Sequence, residues 1–106
     1  MVYNIDDKIG RSDSKDRVAI TAMSVSSTAT RLPTSPLGRR NFIRVRNMDG
    51  ANDIALLTSS GTTYSGGYPV PAGESWEDST DAKFWVVSDI GTIDVMVYER
   101  SERFNY

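Results

Sequence analysis

The chain has 106 residues, 39% of them hydrophobic and 25% charged, with neither cysteine nor histidine. That length suits one small domain with a thin core, since roughly 100 residues bury only about two-thirds of the surface their unfolded chain exposes. Lacking thiol and imidazole, the chain offers no thiolate nucleophile, no imidazole base and neither of the side chains that dominate zinc, haem and iron–sulfur sites. A non-enzymatic protein with no cofactor is therefore expected, and its stability must rest on packing and backbone pairing rather than disulfides.

No stretch approaches the ~20 apolar residues that span a bilayer. The opening Met1-Val2-Tyr3-Asn4-Ile5-Asp6-Asp7-Lys8 lacks the apolar region of a signal peptide. Synthesis in a cytoplasm and no membrane partner are the expectation.

The net charge of −2 hides an asymmetry. Arg31 to Arg46 holds five arginines and no acid, whereas Asp49 to Asp94 holds eight acids against Lys83 alone. Such a pattern suits steering of a partner or pairing of one copy with the next; the other reading is that the two blocks face each other across one domain.

Residues 1–16 mix Asp, Lys, Arg, Ser and Gly with only Val2, Tyr3, Ile5 and Ile9 to bury. A segment of this composition cannot offset its own ordering entropy, so an extended arm that orders on a partner through those four residues is expected. From Arg17 onward β-branched residues alternate with small or polar ones, the signature of strands. Val18, Ile20 and Ala22 share one face there, with Ala19, Thr21, Met23 and Val25 on the other. Ser26 to Leu32 is a second strand candidate, and Leu32-Pro33-Thr34-Ser35-Pro36-Leu37-Gly38 breaks it as a loop.

Arg40 to Asn47 places Ile43 and Val45 inward and Phe42, Arg44 and Arg46 outward. Asp49-Gly50 follows, a hairpin signal when strands flank it, so antiparallel pairing with Asp53 to Thr58 is expected. Ser59 to Gly67 is a polar loop of unusual length and a candidate contact surface, flanked by Tyr64 and Tyr68. Glu74 to Asp78 should turn Trp76 toward the core and its acids to solvent. Lys83 to Ser88 and Thr92 to Arg100 are the closing strands, the latter alternating Ile93, Val95 and Val97 against Asp94, Met96 and Tyr98. The tail 101–106 ends in Phe104 and Tyr106, suited to docking on a neighbour or covering its own subunit.

Seven or eight short strands with turns about every ten residues indicate an all-β protein, a single antiparallel β-sandwich of jelly-roll type or a small barrel spanning residues 17–100. Asp49-Gly50-Ala51-Asn52-Asp53 lacks the twelve-residue spacing and bidentate Glu of a calcium loop. Carboxylate pairs such as Glu74 with Asp78 read as a solvated acidic loop rather than a glycosidic site. The arginine block around Phe42 has the ingredients of a phosphate contact, but an overall pI near 5.0 argues against nucleic acid. Arginine is equally suited to protein interfaces.

Ala29-Thr30-Arg31-Leu32-Pro33-Thr34-Ser35-Pro36-Leu37-Gly38-Arg39-Arg40, a strand ending at Asn47, a Thr/Ser-rich loop and then Gly67-Tyr68-Pro69-Val70-Pro71-Ala72-Gly73-Glu74 resemble small structural proteins of tailed bacteriophages. Those carry an A-T-x-L-P-x-x-P-L-x-G-R segment leading into a strand and a G-x-P-(V/L)-x-A-G turn before the last strands. The resemblance implies a non-enzymatic virion protein, of capsid decoration or cement type, that binds the major capsid protein as a homo-oligomer, dimer or trimer, on the capsid surface. A neck, tail or fibre-base component is the alternative within the virion. Outside it stands a carbohydrate- or receptor-binding sandwich using Tyr64, Tyr68, Trp76 or Trp85. The expected partner contacts are Val2, Tyr3, Ile5 and Ile9 of the arm, Arg39, Arg40, Arg44 and Arg46 of the basic strand, Tyr64 and Tyr68 of the loop, and Phe104 and Tyr106 of the tail.

Overall fold

The computed structural model describes residues 16–102, without the side chains of Asp16 and Glu102. The expected arm anchors Val2, Tyr3, Ile5 and Ile9, and the tail aromatics Phe104 and Tyr106, lie outside the described residues. Eight strands follow in order: β1 (Asp16–Val25), β2 (Thr30–Leu32), β3 (Arg40–Asn47), β4 (Ile54–Leu57), β5 (Tyr68–Val70), β6 (Ser75–Asp78), β7 (Phe84–Ser88) and β8 (Ile93–Glu102). One 3-10 turn, Tyr64–Gly66, interrupts them. They form two antiparallel four-stranded sheets, β1-β8-β3-β6 and β2-β7-β4-β5.

The pairs β1 with β8, β2 with β7, β3 with β6 and β4 with β5 are each antiparallel. This is a long folded-back ribbon rolled into two layers, the winding of a jelly roll, stitched by the further pairings of β8 with β3 and β7 with β4. The expected all-β sandwich is thus observed. Rolling has a consequence for connections: β4 and β5 are the one consecutive pair of strands that are hydrogen-bonded neighbours.

The Asp49-Gly50 segment accordingly does not close a β3–β4 hairpin. Six residues, 48–53, instead carry the chain from one sheet to the other. Two side chains hold this crossing. The Asp49 carboxylate accepts the N–H groups of Ala51 and Asn52 at 3.0 and 2.7 Å, and buried Asn47 donates to the carbonyls of Asn52 and Val70 at 2.9 and 3.0 Å. A further reason lies in β4, whose Ile54, Ala55, Leu56 and Leu57 are all buried. A strand apolar on both faces needs cover on both, and only the second sheet supplies it.

That cover comes from the Ser59–Gly67 loop. Ile54 and Leu56 enter the main core with Met23, Val25, Leu32, Ile43, Val45, Val70, Val86, Ile93, Val95 and Val97, against which Trp76 and Phe84 pack. Ala55 and Leu57 point the other way and join Val87, Ala29, Tyr64 and Trp85 in a second cluster. Gly67 lets the loop lie on β4: a Cβ there would fall 2.7 Å from a Leu57 methyl and 2.9 Å from the Leu56 carbonyl oxygen. Its φ of −102° is open to any residue, so the requirement is proximity rather than backbone conformation.

Alternation places the remaining strands as expected. Ile43 and Val45 point inward while Arg44 and Arg46 are exposed. Trp76 meets Phe84 edge to face at 5.2 Å, with Glu77 and Asp78 exposed. In β1 the inward face is that of Met23 and Val25.

Candidate interaction surface

Where β1 begins and β8 ends, one buried ion pair ties the sandwich. Period-two alternation puts Arg40 on the outer face with Phe42, Arg44 and Arg46. The β3–β8 register slips between Arg40 and Phe42, so that Arg40 faces Ser101 and Phe42 faces Arg100. The slip inserts one residue and re-aims Arg40 inward, as β-bulges do, next to Arg39 in the left-handed region at φ 58°. Arg40 and Glu99 are then 5% and 0% exposed. Nη1 donates to Glu99 Oε2 at 3.1 Å, Nε donates to the Thr80 carbonyl at 3.4 Å and Nη2 to that of Ala82. The Leu37 N–H donates to both Glu99 oxygens at 3.2 and 3.3 Å. Arg40, expected at a partner interface, is instead a buried structural group in this chain, and Glu99 was not foreseen at all. Its signal was parity: Glu99 continues the inward series Ile93, Val95, Val97.

The outer face of β1-β8-β3-β6 differs from that of the other sheet in having no loop of the described chain over it. Val18 and Ile20 on β1, Met96 on β8 and Met48 just beyond β3 are 52%, 67%, 36% and 51% exposed. Ile20 stands opposite Tyr98 and Ala22 opposite Met96 across the β1–β8 ladder, while Arg44 and Arg46 flank the same two β8 residues from β3. Met48 and Met96 line two open depressions of about 310 and 390 Å³. Phe42 and Tyr98 meet edge to face at 6.0 Å, and the Arg100 guanidinium lies 5.0 Å from the centre of the Phe42 ring. Contiguous exposed apolar surface with an arginine rim is the composition of a protein-contact surface, methionine adding adaptability.

The other expected contacts fall in different places. Arg39 is exposed beside the ion pair. Arg44 donates from Nε to Glu77 at 2.8 Å across β3 and β6, so the basic and acidic blocks do meet, in part, within one domain. Tyr68 is exposed on β5. Tyr64 is half-buried against the second cluster; burial first, then the Asp89 and Asp53 carboxylates, pushes its hydroxyl above the usual phenol range. Trp76 and Trp85 are likewise half-buried, Trp85 beneath the Arg31 guanidinium at 5.5 Å. Tyr64 and Trp85 share the second cluster and Tyr68 lies on β5 of that same sheet, whereas Trp76 sits on β6 of the other. Val18, Ile20, Met48 and Met96 were not expected at an interface. The available sign was β1, apolar on both faces in a sandwich that can bury one.

Compared with protein-family models, curated protein sequences and solved structures, the chain matches none of them.

Proposed function

We propose that this chain is a non-enzymatic structural protein of a bacteriophage virion, a capsid decoration or cement protein that binds the major capsid protein lattice. The observation that carries the reading is the outer face of β1-β8-β3-β6, which no loop among the described residues covers and which carries Val18, Ile20, Met48 and Met96 beside Arg44 and Arg46. A patch of that kind is adapted to a protein neighbour, and binding would add stability to a small domain by mass action. The motif resemblance of residues 29–40 and 67–74 supports the same class. By analogy alone, eight-stranded jelly rolls also serve as capsid domains, though lectins and cupins share them.

Quantitative mass spectrometry of purified virions from the source tests this. A copy number equal to that of the major capsid protein, or a simple fraction of it, supports a shell position, because a repeating decoration obeys lattice symmetry. A ratio of a few per cent moves the protein to the neck or tail, and its absence from virions refutes the proposal.

A further inference from the structure

A sandwich has four edge strands, and each must be paired, covered or blunted to avoid unintended pairing. Three are blunted here. β2 is three residues long and runs into Pro33. β5 is three residues long with Pro69 at its centre. β6 is four residues long and carries Glu77 and Asp78, both exposed. The fourth edge, β1, is ten residues long and has no proline. From Val18 to Val25 it has no charge either. Its neighbour on one side is β8, and among the described residues nothing pairs with the other side. Beyond Asp16 and Arg17 at its start, β1 carries neither charge nor proline along its edge, and the most exposed of its large apolar residues is Ile20.

From this we infer that β1 is a self-association edge, pairing antiparallel with β1 of a second copy about a two-fold axis to join the two outer sheets into one of eight strands. An isologous contact demands a segment complementary to its own reverse. Eight consecutive uncharged residues meet that demand, since no register over them sets like charges opposite each other. Outward residues oppose outward residues when the axis passes through Ile20: Ile20 then faces Ile20, Val18 faces Ala22 and Arg17 faces Met23. The apolar outer face of each copy, Val18 and Ile20 with Met96, becomes continuous with that of the other. This pairing uses the backbone edge and does not depend on the virion reading, because it holds for the isolated protein.

The test is the solution mass of the full-length chain, by sedimentation equilibrium over the micromolar range, with Ile20→Lys and Ile20→Glu. The native chain should show twice 11.7 kDa. Each variant alone should raise the dissociation constant at least about tenfold, because two like charges then oppose each other across the axis. Mixing the two in equal amounts should restore a dimer, a rescue that a misfolded variant cannot give. A native chain that stays monomeric overturns the inference, as does a dimer that both variants leave intact. Slow exchange, in a monomer, of the β1 amides that point away from β8 would also overturn it, by assigning the edge to cover from the chain's own residues 1–15.

Discussion

The Arg40–Glu99 pair should govern stability out of proportion to its size. It joins four pieces of chain: the β2–β3 connection through Leu37, the start of β3, the β6–β7 connection through Thr80 and Ala82, and the end of β8. With the two side chains 5% and 1% exposed, neither charge has water to fall back on. Removing one partner of such a pair costs about 3–5 kcal/mol, chiefly by stranding the other charge. Glu99→Gln keeps the shape and an acceptor for Leu37, and Arg40 keeps two carbonyls, so the low end, about 3 kcal/mol, is expected. For a domain of this size that lowers Tm by about 12–24 °C, at roughly 4–8 °C per kcal/mol. Arg40→Met should cost a similar amount, and the double variant Arg40→Met with Glu99→Leu should recover most of the loss because it buries no charge. Urea unfolding of the native chain, the single variants Arg40→Met and Glu99→Leu and that double variant closes a double-mutant cycle. Singles within about 0.5 kcal/mol of the native chain, or a coupling energy below that figure, would refute a buried, interdependent pair.

Three further outcomes are expected. Gly67→Ala should destabilise the fold by about 1–3 kcal/mol in urea unfolding, because its methyl meets Leu57, Ala55 and the Leu56 carbonyl; an unchanged midpoint would show that the loop lifts freely from β4. The N–H groups of Ala51 and then Asn52 hold the Asp49 carboxyl below its usual range, so its contribution is present above the ordinary carboxylate pKa and is lost as pH falls through the lowered one. Comparing unfolding of the native chain and Asp49→Asn from pH 7 downward should show a smaller acid loss in the variant. Tyr64 titrates above the usual phenol range, with burial the leading cause, so its contribution is present below that range and lost as pH rises through the raised value. Tyr64→Phe should flatten the alkaline limb of the stability curve, and an identical limb would contradict the packing of Tyr64 on the second cluster.

Local chemistry was enough for several features of this protein. Alternation told that Ile43 and Val45 of β3 and Ile93, Val95 and Val97 of β8 face in, because a strand's period of two leaves an apolar series one choice. The proline-rich break after Leu32 and the inward Trp76 were legible for the same local reasons. Strand partners were not. Asp49-Gly50 specifies a turn, but whether a turn joins neighbours or crosses layers depends on which strands flank it, and that follows from the rolling of the whole ribbon. Arg40 shows the same limit on the scale of one residue. Its parity pointed outward until the slip against β8 turned it toward Glu99, whose carboxylate lies 59 positions away in the chain. The exposed outer face had a sequence sign in the doubly apolar β1, yet only the tertiary structure decided which of its faces lies outside the core. A sandwich buries one face of each sheet in its core, and the Ser59–Gly67 loop lies over Ala55 and Leu57 on the opposite layer.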